Sequence, residues 1–331
     1  MSFQVKDRVQ RLEHSTHTTP DVSSDRKSIK VLVPCDGSEN SEVALSELRR
    51  AGLPRKVDAL VAVTHVWLPS SPAEITRAVS ARRLRVLTSG VSSFAPALRD
   101  HEEYKVLSRE AEERIRLDFP TATIRTEALQ SEAAVANEII RKAKQWSAEL
   151  IIVGAKISSS PDISDYAGPA LRITREAECS VRVARISEHS AGAPLRLMVG
   201  LEGLESSAET IEYVAERVWP TGSEVHLVLV EKPGPHDLTR DAANSVLEQL
   251  AERLRATGLR VFATVTVGQP QEIFLRKARE LTVDCVFMHA IGDPAVDGDL
   301  SPVAQALVLC APCSVEVVRK ADYSHGFRPA A

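Results

Sequence analysis

Lys30-Val31-Leu32-Val33-Pro34-Cys35-Asp36-Gly37 decides the fold, because the same stretch returns as Arg196-Leu197-Met198-Val199-Gly200-Leu201-Glu202-Gly203. A short, β-branched-rich run ending in an acidic residue and a glycine reads as a strand that turns toward the next element. A second landmark repeats as well: Glu178-Cys179-Ser180-Val181-Arg182-Val183-Ala184-Arg185 returns as Pro312-Cys313-Ser314-Val315-Glu316-Val317-Val318-Arg319. Between the two, Arg141-Lys142-Ala143 leads to Glu149-Leu150-Ile151-Ile152-Val153-Gly154-Ala155, and Arg276-Lys277-Ala278 leads to Asp284-Cys285-Val286-Phe287-Met288-His289-Ala290. The landmarks keep their order, so the chain reads as two copies of one domain.

Working outward, apolar runs and helical spacing alternate in both copies. Strands are expected near 31–33, 57–66, 122–129, 149–155 and 181–184, with helices near 41–53, 104–117, 133–146 and 168–176. The second copy repeats the plan, with strands near 196–201, 224–231, 260–267, 284–289 and 315–318 and helices near 206–218, 238–256, 270–281 and 302–309. Strands alternating with helices imply an α/β fold with a mostly parallel sheet and helices on both faces. The division that follows is an N-terminal arm at 1–27, a first domain at 28–186, a small polar linker at 187–194, a second domain at 195–320 and a tail at 321–331. The arm reads as mobile because it mixes charge with Ser, Thr and His and lacks a long apolar stripe. The first copy is the longer, and its extra residues fall mainly at 70–98. The arginines there (Arg77, Arg82, Arg83, Arg85) read as a solvated helix face, with an anion or partner site as the alternative.

The chain has 331 residues and a formal net charge of −4. That length suits two domains, each with its own core. The charge balance gives no phosphate-backbone grip, so neither nucleic acid nor a membrane surface is expected as a partner. The apolar runs are far shorter than the roughly 20 residues of a spanning helix, and the start has no signal-peptide core. A cytoplasmic location is the resulting expectation. Five cysteines, an odd number, sit mostly in or beside apolar strands and read as buried free thiols. Cys310-Ala311-Pro312-Cys313 spells a CxxC, but a redox pair needs its first thiol at a helix N-terminus, and here the helix comes before it.

The ordered set of Val33-Pro34-Cys35-Asp36-Gly37-Ser38, His65-Val66, Leu150-Ile151-Ile152-Val153-Gly154-Ala155 and Ala311-Pro312-Cys313-Ser314-Val315 resembles the universal stress protein family. Because the set occurs twice, the chain resembles a tandem member. The resemblance implies two open, mostly parallel five-stranded sheets of the adenine-nucleotide alpha-hydrolase-like type, arranged as a pseudo-dimer whose final strands lie together. In ATP-binding members, it further implies, the aspartate after the first strand and a valine after the second hold the adenosine, and a G-x2-G-x9-G-[ST] loop receives the phosphates. Glycines there let backbone N–H groups approach phosphate oxygens.

Carried onto this chain, the first copy supplies Asp36, Val66 and Gly154; Ile157 and Ala167 then stand where glycines belong, with Gly168 one residue late and Pro169 after it. Ser158, Ser159 and Ser160 remain as donors to an anion. The second copy has Glu202, Val230, His289, Gly292, Pro302 and Val303 at the corresponding positions. The candidate nucleotide-binding residues are therefore Asp36, Val66, Gly154, Ser158 and Gly168, all in the first copy. With both loops degenerate, the expectation is a stress-associated regulatory or interaction protein without cofactor or turnover, acting through a protein partner or as a homo-oligomer. The alternative is an ATP-binding tandem protein that hydrolyses slowly in the first copy.

Other chemistry reads as ordinary structure. His289-Ala290-Ile291-Gly292 looks like a nucleotidyl-transferase HxGH, but that signature follows the first strand and ends in a second histidine. Asp293, Asp297 and Asp299 lack the closing glutamate of a calcium loop. His65 reads as a core histidine, and Trp67, Trp146 and Trp219 as packed rings near element ends.

Overall fold

The computed structural model describes residues 28–54, 56–66, 101–131, 135–155, 168–187, 192–202, 207–231, 240–290 and 300–319. The arm, the 70–98 insertion with its arginines, Trp67, Ser158–Ser160, the Asp293–Asp299 loop and the C-terminal tail lie outside them. The N-terminal half runs β1 (Ile29–Cys35), α1 (Glu39–Glu47), a 3-10 turn (Leu48–Arg50), β2 (Val57–Val66), α2 (His101–Asp118), β3 (Thr123–Ser131), α3 (Val135–Trp146), β4 (Leu150–Gly154), α4 (Pro169–Glu176) and β5 (Ser180–Ala184). The C-terminal half follows with β6 (Arg196–Leu201), α5 (Ser207–Ala215), β7 (Glu224–Glu231), α6 (Arg240–Arg255), β8 (Arg260–Val267), α7 (Pro270–Glu280), β9 (Cys285–His289), α8 (Pro302–Cys310) and β10 (Ser314–Val318). All ten strands read from the sequence are present.

The strands form one ten-stranded sheet in the order β3-β2-β1-β4-β5-β10-β9-β6-β7-β8. This corrects the expectation of two five-stranded sheets. Within each half every pairing is parallel, and β5 pairs antiparallel with β10, Val183 opposite Val315, Arg182 opposite Glu316 and Val181 opposite Val317. The physical reason is that an edge strand with unpaired N–H and C=O groups is satisfied by another edge, so the two sheets fuse. The order of the second half mirrors that of the first.

Side chains alternate across the sheet, and the two faces are covered differently. On one face α3, α4, α7 and α8 close a single apolar layer that runs from Leu32, Leu60 and Ile151 through Val181, Val183, Val315 and Val317 to Met198 and Val286. On the other, the N-terminal half packs Val31, Val33 and Ile152 against Ala44, Leu45 and Ile115, and the C-terminal half packs Val199, Leu227 and Phe287 against Ile211, Val214 and Leu247. Between those two cores lies a polar seam. Each buried aliphatic side chain contributes about 1.5–3 kcal/mol, whereas buried ion pairs roughly break even with apolar packing. The shared apolar layer therefore supplies most of the energy that holds the halves together.

The junction is reciprocal. Arg185 N–H donates to Ser314 Oγ at 3.1 Å, and Arg319 N–H donates to Ser180 Oγ at 3.1 Å. The Arg185 guanidinium donates to the Val308 and Leu309 carbonyls at the end of α8, while that of Arg319 donates to the Arg175 carbonyl in the last turn of α4. Each half thus caps a helix C-terminus of the other with a cation, the end the helix dipole favours for positive charge.

Candidate functional site

In an open α/β sheet, ligands bind outside the carboxyl ends of the strands where the strand order reverses. That point falls between β1 and β4 in the N-terminal half and between β6 and β9 in the C-terminal half, since each pair is adjacent and parallel while the chain leaves in opposite directions.

At the first crevice, Asp36 follows β1, and its carboxylate accepts the Ser38 N–H at 3.0 Å, an Asx turn that folds the chain into α1. Gly37 takes φ +75°, which favours glycine, and Ser38 caps α1 by accepting the Ser41 N–H at 3.3 Å. Gly154 ends β4, and a Cβ there would lie 1.9 Å from the Asn40 carbonyl oxygen. Only glycine lets β4 and the start of α1 come so close. Asp36 and Gly154 are thus brought to the same crevice. Val66 closes β2 one strand away, paired with Ser131 of β3. Gly168 caps α4 at φ −58°, a conformation open to any residue, and Pro169 begins the helix without an N–H. Cys35, beside Asp36, has its thiol pushed up by burial and is an inert core group.

The second crevice has the same scaffold and different contents. Gly200, Leu201, Glu202, Ser207, Thr210, Met288 and His289 line a cleft of about 10 Å³, room for one water. Glu202, at the aspartate's position, accepts the Ser301 hydroxyl at 2.7 Å, and Ser301 in turn accepts the Ala304 N–H at 3.0 Å as the cap of α8. His289, at the first glycine's position, lies 3.3 Å from a Glu209 carboxylate oxygen through Nε2. Glu202 and His289 are thus each engaged by a neighbouring side chain. Thr210 Oγ1 is buried in the cleft wall without a hydrogen-bond partner among the described residues.

The helix caps also correct the loop alignment. Pro169 and Pro302 are each the first residue of a helix, so Gly168 corresponds to Ser301. Counting from the preceding strand puts Ala167 and Pro302 at that place instead. The cap falls one residue late in the first half and one early in the second, and a Ser-Pro pair at a helix start is the sequence signal that locates it. The pairing of His289 with Glu209 had no such signal, because the two are far apart in sequence.

Among the described residues, no group of three or more His, Cys, Asp or Glu is placed to hold a metal ion. Nor is any helix among them long and apolar enough to cross a membrane. The CxxC follows α8, with Cys310 as its last residue, and burial pushes the Cys313 thiol up to about 12, the reverse of what a thiolate nucleophile needs.

Residues 195–319 match the model of the universal stress protein family. The fold of the whole chain is similar to that of a universal stress protein from Archaeoglobus fulgidus DSM 4304, with a TM-score of 0.56 and 18% identity over 88% of this chain and 97% of that one. It is also similar to a proposed universal stress protein from Pseudomonas aeruginosa UCBPP-PA14, with a TM-score of 0.51 and 13% identity over 88% of this chain and 94% of that one. Comparison with curated proteins found no match.

Proposed function

We propose that the chain is a tandem universal stress protein in which both halves are domains of the family, paired as a pseudo-dimer, and that it acts in the cytoplasm as a stress-associated regulatory or interaction protein without catalytic turnover. The observation that carries this reading is the self-engagement of the second crevice. Glu202 is bonded to Ser301 and His289 is paired with Glu209, so the two groups that would meet a nucleotide are each already engaged. In the first half Pro169 withdraws a backbone N–H from the start of α4, where a phosphate would be received.

A second reading has its own support. Asp36 and Gly154 keep their positions at the β1/β4 crevice, which suits an ATP-binding first domain with slow hydrolysis. Titrating the purified chain with ATP and magnesium by calorimetry separates the two. The leading reading expects no heat at millimolar ATP; micromolar binding would overturn it in favour of the second.

A further inference from the structure

The middle of the β5–β10 junction holds two opposite charges at one symmetric position. Arg182 faces Glu316 across the strand pair, and both are buried, with side chains 1% and 0% exposed. Arg182 Nη1 donates to Glu316 Oε2 at 2.7 Å and Nη2 to Glu47 Oε1 at 2.7 Å. Glu316 Oε1 accepts from Arg217 at 2.9 Å and from the Tyr213 hydroxyl at 2.6 Å. Alongside, Arg50 of the first half pairs with Asp284 of the second. Three guanidinium groups meet three carboxylates. The first half contributes Arg50, Arg182 and Glu47 to this seam, an excess of one positive charge, and the second contributes Arg217, Asp284 and Glu316, an excess of one negative.

The flanking pairs make no such distinction, since Val181 faces Val317 and Val183 faces Val315. If β5 paired with another β5 in this register, valines would still meet valines, but Arg182 would face Arg182. If β10 paired with another β10, Glu316 would face Glu316. Like charges buried opposite each other have no solvent to screen them.

We propose that Arg182 and Glu316 make the two edges mutually selective: the β5 edge accepts a domain of the same architecture that presents a carboxylate at the central position, the β10 edge accepts one that presents a guanidinium, and each rejects a copy of itself. The inference goes beyond the proposed function and needs no ligand.

Whole chains test it. In Arg182→Glu both edges carry glutamate, and in Glu316→Arg both carry arginine. Each variant alone should lose the junction, with hydrogen exchange at the β5 and β10 amides faster by roughly a hundredfold to a thousandfold, the scale set by breaking a buried pair. Mixed in equal amounts, the two should form a 1:1 dimer by native mass spectrometry. The native Glu316 edge of one chain then meets the native Arg182 edge of the other, and the two substituted edges meet as glutamate against arginine. Exchange at the unmutated edges should slow again in the mixture. The double variant Arg182→Gln, Glu316→Gln is the folding control: it leaves one carboxylate, Glu47, and one guanidinium, Arg217, as opposite charges across the seam, so it should open less than either reversal. Reversal variants that keep wild-type protection, a mixture no better paired than its parts, or an amide variant as open as the reversals would each overturn the proposal. Nucleotide binding enters none of these outcomes, so they do not depend on whether the chain takes up a nucleotide.

Discussion

The β1/β4 crevice and the β6/β9 crevice share a scaffold and differ in what the scaffold allows. At the first, β4 ends on Gly154 and comes so near to α1 that a Cβ would strike the Asn40 carbonyl. At the second, β9 ends on His289, whose side chain reaches Glu209 on α5. One crevice closes by backbone approach, the other by side-chain pairing. The same strand order therefore admits a close backbone approach or a side-chain pairing, depending on one residue at the strand's end.

The largest effect expected from breaking this difference is at Gly154. Gly154→Ala should destabilise the chain by about 3 kcal/mol, at the upper end of overpacking costs, since the obstacle is backbone and not a movable side chain. His289→Gly, the reverse change, should cost no more than about 1 kcal/mol, the backbone entropy of a glycine. Thermal unfolding of the two variants checks the contrast. Equal losses would mean that the two crevices close in the same way.

Nucleotide affinity is the next largest. Whatever ATP the chain takes up should enter the first crevice, so Asp36→Ala should weaken binding by about 1–3 kcal/mol, the worth of a buried hydrogen bond to a charged group. Glu202→Ala should leave binding unchanged, because His289 stands in that crevice where a glycine would let backbone N–H groups approach a phosphate. Calorimetry of both variants decides it; equal weakening would remove the division between the halves.

A smaller difference is in pH. Cys35 ends β1, and Leu201 ends β6 at the corresponding place. Burial raises the Cys35 thiol above its ordinary 9.0, so its folded pKa exceeds the unfolded one. The stability it contributes is present below pH 9 and is lost as pH rises through the folded value. Cys35→Val, of similar volume, should cost about 1 kcal/mol at pH 7 and less above about pH 9. Denaturant melts at the two pH values measure this. A cost that did not shrink in alkali would mean the thiol titrates alike in both states.

Much of this was legible in the chain. The period of apolar residues placed all ten strands, because buried parallel strands are continuous apolar runs. The charged seam was not. Arg182 and Glu316 stand between valines, where alternation alone reads as a solvent face, and their partners Glu47 and Arg217 are distant in sequence. The usable signal was the repeat itself: Val-Arg-Val in one copy and Val-Glu-Val in the other oppose charges at a position that a symmetric pairing brings together. Fusion of two expected sheets into one follows from the same pairing. Loop lengths mislead the alignment of the caps, because a count from the strand ignores the helix start, which is the fixed point.

The helix caps give the finest distinction, because they separate the two ways in which Ser301 acts. Ser301 caps α8 through Ala304 N–H and also donates to Glu202, whereas Gly168 caps α4 with no side chain. Ser301→Ala removes both bonds and should cost about 1–2 kcal/mol, while Ser301→Gly, which keeps a tolerable cap conformation, should recover most of the capping part. Any cost remaining in the glycine variant then reports the bond to Glu202 alone. Gly168→Ser should stabilise the first half by only a few tenths of a kcal/mol. Matched unfolding curves of the three variants give these differences directly. If Ser301→Gly proved as costly as Ser301→Ala, the hydroxyl would serve chiefly to hold Glu202, and the filling of the second crevice would rest on that one bond.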